Sequence, residues 1–147
     1  MSEATVALAE TRKSAIRWKR VILAGFLSEI IVIAVIAAIY GTYTMVIAPG
    51  QPNAAYHEFA QNAGYFAAAP AAFLGSFLMA YWAVRKLESA IIANGVLVGI
   101  VGVLLSAGFI VGARPEDRMM YLASFVLRIA GGYTAGKVVL SMKERRR

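Results

Sequence analysis

Four stretches of this chain are so long and so apolar that water cannot be their solvent on all sides. They run from Val21 to Ala48, Gly64 to Val84, Ala90 to Ala113 and Met119 to Met142. A helix rises about 1.5 Å per residue, so about 20 residues cross about 30 Å of hydrocarbon, and each stretch meets that length. The composition agrees: 60% of the residues are hydrophobic, 16% are charged, and the mean hydropathy is +0.66. A soluble domain is about 45–50% apolar and about 25% charged. The expected fold class is therefore an all-α integral membrane protein, a bundle of four transmembrane helices.

The first stretch is longer than a span requires, so it tilts or projects beyond the bilayer. Its charged start and the Val46-x-Ala48 ending imitate a secretory signal. A signal's apolar region is only about 7–15 residues, however, and Pro49 follows the would-be cleavage point, so a retained helix is expected. The 147 residues divide into a basic segment 1–20, a membrane domain 21–142 and a basic tail 143–147.

Orientation follows from where lysine and arginine lie. Arg12, Lys13, Arg17, Lys19 and Arg20 precede the first span. Arg85 and Lys86 join the second to the third, and Lys143, Arg145, Arg146 and Arg147 end the chain. The first-to-second connection, "PGQPNAAYHEFAQNA", has no lysine or arginine, and "RPEDR" offsets its two with Glu116 and Asp117. Both termini are expected in the cytoplasm, with the inner membrane of a bacterium as the location. This asymmetry accounts for the net charge of +7 without nucleic acid, and anionic lipid headgroups are the expected partners of the basic end. The first twenty residues, with Ile16 and Trp18 among basic side chains, fit a short helix lying on the membrane surface.

Small residues supply the packing, because lipid offers little hydrophobic drive between helices. The third span carries Gly95, Gly99 and Gly102, then Gly108 and Gly112; the fourth carries Gly131, Gly132, Ala135 and Gly136; the second carries Ala68, Ala71, Ala72 and Gly75. Pro70 predicts a kink in the second span. Pro115, Glu116 and Asp117 suit the start of the fourth helix, where proline is tolerated and acids favour the dipole. Trp18, Tyr56, Tyr81, Trp82 and Tyr121 fall near span ends, with Trp18 and Trp82 the expected interfacial anchors.

Two charges lie well inside spans, Glu29 and Arg128. A central charge costs about 2.5–3.5 kcal/mol on insertion scales, so each requires a reason. Glu29 is eight residues, roughly 12 Å, beyond the start of the first span, and Arg128 is about twelve residues, roughly 18 Å, from the same side in the fourth. A long arginine covers the difference. At about 100° per residue Arg128 shares a face with Gly131, Gly132, Ala135 and Gly136, and Glu29 shares one with Gly25, Ile33, Ile36 and Tyr40. A buried Glu29–Arg128 pair is predicted.

In the stretch "AGFLSEI" and in span count the chain resembles the small multidrug resistance transporters. The resemblance implies a first-span glutamate, Glu29, that binds protons or cationic substrate. The present chain is longer, has an extended outer connection, and adds Arg128 where that family's cavity accepts cations.

Other chemistry is narrowly bounded. There is no cysteine, and the single histidine, His57, excludes an all-histidine metal site within one chain. His57, beside Glu58, reads as an interfacial loop residue; the sharper alternative is a ligand to a metal or pigment. The segment 54–62 fits an amphipathic turn on the outer surface, with Tyr56, Phe59 and Ala60 on one side. No serine, histidine and carboxylate set is placed for catalysis, so no enzyme is expected. "AGGYTAGKVV" imitates a phosphate-binding loop, but no strand precedes it and Val138 replaces the hydroxyl residue, so no nucleotide is expected. Its glycines thin a helix face, and Lys137, about 180° from Arg128, anchors the helix end at headgroups.

Three functions fit this reading. The first is a non-enzymatic protein that acts by assembly, as an accessory subunit of a membrane complex or as a homo-oligomer. The second is a small proton- or cation-coupled transporter or channel using Glu29. The third is a pigment- or quinone-associated subunit of a respiratory or photosynthetic complex. Bound lipid is expected in all three, a pigment or quinone only in the last.

Overall fold

The computed structural model describes residues 16–113 and 115–146. Of the surface helix expected over the first twenty residues, positions 1–15 lie outside the described residues. All regular structure among the described residues is helical. Helix α1 (Trp18–Thr42) continues into a π-helical turn, Tyr43–Ile47. Helix α2 covers Asn53–Val84 and α3 covers Ile91–Gly112. A 3₁₀ turn, Pro115–Asp117, leads into α4 (Arg118–Glu144).

Three of these helical segments, Trp18–Ile47, Asn53–Val84 and Ile91–Gly112, are long and apolar enough to cross a membrane. Helix α4, with 27 residues, is long enough but is not among them. Arg128, Lys137 and a run of small and polar residues dilute it, and several of these same residues pack it into the bundle.

The connection between α1 and α2 is much shorter than the sequence implied. Positions 54–62 are not a separate surface turn but the first part of α2, which begins after Pro52 and runs unbroken through Pro70. Nothing between Asn53 and Pro70 breaks a helix, and aromatic contacts hold this extension against the end of α1. Tyr43 stacks on Phe59 with centroids 3.6 Å apart, and Tyr56 meets the edge of Tyr43. The Tyr56 hydroxyl donates to Ala48 O at 2.8 Å and accepts from the Gln51 amide at 3.0 Å, closing the turn.

Around the bundle the helices follow the order α1, α2, α4, α3, so α1 and α4 face each other diagonally and barely approach. Directions follow from which residues touch. Gly95 lies against Gly132 and Gly136 against Ile92, so α3 and α4 are antiparallel. Gly131 lies against Phe73 and Phe77, and Tyr81 bonds Met142, so α2 and α4 run together. Gly75 lies against Ser28 while Arg20 reaches Ala83, so α1 and α2 are antiparallel.

Backbone meets backbone along α3 and α4. A Cβ on Gly95 would strike the Gly132 carbonyl, and one on Gly132 the Gly95 carbonyl. A Cβ on Gly99 would lie 2.5 Å from Arg128 O, and one on Gly131 2.5 Å from Phe73 O in α2. At Gly95, Gly99, Gly131, Gly132 and Gly136 alike, an added Cβ would meet the backbone of a neighbouring helix. The buried core matches this closeness, built from Val21, Ala24, Ala80, Ala83, Val84, Val98, Ala135 and Val139. Small side chains leave little volume between helix axes, and the backbones approach accordingly. Gly108 and Gly112 have nothing within 4 Å of an added Cβ.

At the end where α1 begins and α4 finishes, basic groups hold the turns. Arg20 donates to Ala83 O at 3.4 Å and lies 5.5 Å over the Trp82 ring. Lys143 donates to Leu87 O, and the Arg17 amide donates at 2.8 Å to Asn94 Oδ1. The turn into α3 passes through Ala90, whose φ of 50° is left-handed.

The seam predicts a contrast between two glycines. Gly132→Ala inserts a Cβ into the Gly95 carbonyl and is expected to destabilise by about 1–3 kcal/mol, as overpacking does. Gly41→Ala, which meets nothing within 4 Å, is expected to be neutral or stabilising by up to about 1 kcal/mol, from helix propensity. Thermal unfolding of both variants in detergent measures the difference.

Candidate functional site

Arg128 and Glu29 meet as an ion pair between the diagonal helices α4 and α1. Their side chains are 6% and 15% exposed. Three features of the fold make the meeting possible. The α4 backbone at Arg128 is pressed against Gly99, so the side chain must pass beside α3 to reach α1. Gly102 provides the passage: a Cβ there would lie 3.1 Å from Glu29 Oε1 and 3.3 Å from Arg128 Nη1. Gly102 makes room for charges and not for a helix backbone. Finally, Gly25 lies against Val101 and Gly75 against the Ser28 carbonyl, which seats α1 and sets the height of Glu29.

The predicted face of Glu29 is only partly inward. Gly25 is buried and Ile36 half-buried, while Ile33 and Tyr40 are exposed. The reason is that α1 is covered chiefly along its first half, where Val21, Ala24, Gly25, Ser28 and Val32 are buried.

Above the pair lies a cavity of about 350 Å³, bounded by all four helices. Glu29 and Arg128 line its inner end together with Ser124 and Ser106. Val32, Ile36, Phe109, Met120 and Phe125 form apolar walls. Gln61, Tyr65, Tyr121 and Asp117 lie toward the end away from the basic turns, where Gln61 is exposed.

The inner end is not fully hydrogen-bonded. Glu29 Oε1 and Arg128 Nη1 are taken up by their ion pair, while Arg128 Nε has no hydrogen-bond partner. The buried Ser124 Oγ has none either. Ser106 differs, since its hydroxyl donates to Gly102 O at 2.8 Å. Orphaned buried polar groups are rare in folded proteins; of those among the described residues Arg128 Nε and Ser124 Oγ share this cavity, while Ser76 Oγ lies outside it.

The remaining predicted residues lie elsewhere. His57 is exposed on the first turns of α2 and does not line the cavity. Among the described residues no group of three histidine, cysteine or acidic side chains is arranged for a metal ion. Trp18 is exposed at the start of α1, and Trp82 is half-buried beneath Arg20. Lys137 is exposed, turned away from the glycine face that carries Arg128. "AGGYTAGKVV" lies wholly within α4, so its glycines are helix contacts and not a loop.

Sequence reasoning overlooked Ser124 and Ser106. The signal was present: Ser124 precedes Arg128 by four residues and Ser106 follows Gly102 by four, the spacing that shares a helix face. Asn94, buried at 1% exposure, was missed as well, although it holds the start of α1 to α3.

Comparison with protein-family models, curated proteins and solved structures finds no match for the chain. The site's own chemistry therefore has to carry the functional reading.

Breaking one member of a buried pair typically costs about 3–5 kcal/mol because its partner is left charged. Glu29→Gln and Arg128→Gln are each expected to destabilise on that scale. The double variant, which leaves no buried charge, is expected to recover a large part of the loss. A double-mutant cycle on thermal unfolding in detergent measures the coupling, and simple additivity would remove the pair's structural role.

Proposed function

We propose that this chain is a four-span integral membrane protein with both termini in the cytoplasm, at the inner membrane of a bacterium. Three helices with span-like length and apolarity support it, as does the gathering of basic residues at one end of the bundle. In this placement α4 is a span whose less apolar residues are sheltered: Arg128 and all three of its glycines are buried, and Lys137 reaches headgroups.

Within that placement, the protein acts by assembly and not by catalysis, as a homo-oligomer or as an accessory subunit. One observation carries this reading. The interior small residues Gly25, Gly75, Gly95, Gly99, Gly131, Gly132 and Gly136 each meet a neighbouring helix, whereas Gly108 and Gly112 on α3 meet nothing. They share a face with the exposed Leu104 and Val111. Small residues spaced by four are a recurrent surface for helix association in lipid, and here the surface points out of the bundle.

Mass measurement after isolation in mild detergent is expected to give a multiple of 15.8 kDa or a particle with a co-purified membrane protein. Gly108→Leu combined with Gly112→Leu is expected to dissolve that particle without lowering the thermal midpoint. A strictly monomeric protein without a partner would overturn the reading.

A second reading, a small transporter working through Glu29, is favoured by the cavity that ends on the ion pair. Engagement of Glu29 by Arg128 weighs against it, because a neighbouring cation competes with any cationic cargo for the carboxylate. Glu29→Gln in reconstituted vesicles decides the matter; proton and cation flux equal to that of the unaltered protein excludes this role.

A further inference from the structure

The cavity combines an apolar body with an inner end that still has hydrogen bonds to give. Arg128 and Ser124 are each 5% exposed, both line the cavity, and Arg128 Nε and Ser124 Oγ have no hydrogen-bond partner. They are one helical turn apart on α4, so their donors address the same region. Phe109, Met120 and Phe125 supply apolar surface beside them.

Charge selects the class of ligand. An anion gains little at Arg128, which Glu29 already neutralises. A cation reaching Glu29 meets Arg128. A neutral molecule with a hydrogen-bond acceptor meets neither limit and uses the donors that are left. Apolar walls with a few convergent polar groups are the usual make-up of a small-molecule site, and such sites occupy roughly 300–1,000 Å³.

We propose that this cavity binds a neutral lipophilic carbonyl compound. Its oxygen accepts hydrogen bonds from Arg128 Nε and the Ser124 hydroxyl, and its apolar body lies against Phe109, Met120 and Phe125. Two membrane components share that chemistry, a quinone ring and the ester carbonyl of a neutral diacylglycerol. The proposal is independent of assembly, since a monomer that binds such a ligand leaves it intact.

The test titrates the full chain, purified in mild detergent, with decylubiquinone, dioctanoylglycerol and, as an anionic control, decanoate, by calorimetry. At least one neutral probe is expected to bind more tightly than decanoate. Ser124→Ala is expected to weaken it roughly fivefold, the loss of one hydrogen bond, whereas Ser124→Thr, which keeps the hydroxyl, retains most of the affinity. Met120→Trp, which fills much of the cavity, is expected to abolish binding and serves if the serine variants do not fold. The neutral probe that responds to these substitutions identifies the source as quinone or lipid. Failure of both neutral probes to bind, tighter binding of decanoate, or affinity unmoved by Ser124→Ala and Met120→Trp would each overturn the proposal.

Discussion

Most of this bundle's architecture depends on the contact between the backbones of α3 and α4. Where Gly95 and Gly132 face each other, no side chain separates the two helices, and the register they adopt leaves Arg128 beside Gly99. From that position a guanidinium has one short route, past Gly102 toward α1. The glycine seam therefore does more than hold two helices. It aims the longest charged side chain of the interior across the bundle to the one helix that α4 scarcely touches. Glu29 waits there because its own helix is seated by two further glycines, Gly25 and Gly75.

A close-packed seam and a cavity belong to the same geometry. The core cluster of Val, Ala and Leu side chains draws the helices together at the end with the basic turns. Toward the other end larger residues, among them Phe109, Met120, Tyr121 and Phe125, surround open volume. The ion pair lies where one regime gives way to the other. Burial of such a pair contributes little net stability, since desolvation offsets much of the attraction. Its weight lies in exclusion: arrangements that separate α1 from α4 leave two charges stranded in an apolar interior.

Much of the fold was legible because its physics is local. Run length gave four helices, and the glycines spaced by four in α3 and α4 include those at which the two backbones approach. Facing and depth together set Glu29 and Arg128 toward each other in the sequence, and the two side chains are in contact in the fold. What escaped depended on tertiary contact. The extension of α2 back to Asn53 rests on Tyr43 stacking upon Phe59, a contact that no periodicity announces. The cavity is a volume left between four helices, and no single stretch of residues encodes it. Ser124 became conspicuous only when its burial and lack of a partner were known. Gly108 and Gly112 looked like their neighbours in sequence and differ in having no helix opposite.

The diagonal pair also has a consequence in time. In the proposed membrane placement, α1 enters the bilayer as it is synthesised, and Glu29 precedes Arg128 by 99 residues (128 − 29). At translation rates of about 5–20 residues per second, roughly 5–20 s separate the two. During that interval the carboxylate lacks Arg128, and the apolar residues around it must offset an insertion penalty of about 2.5–3.5 kcal/mol. The run "IIVIAVIAAIY" that comes after Glu29 is well suited to that task. In that placement, the excess apolar length of α1 would serve the nascent chain before it serves the finished one, holding the first helix until Arg128 is made.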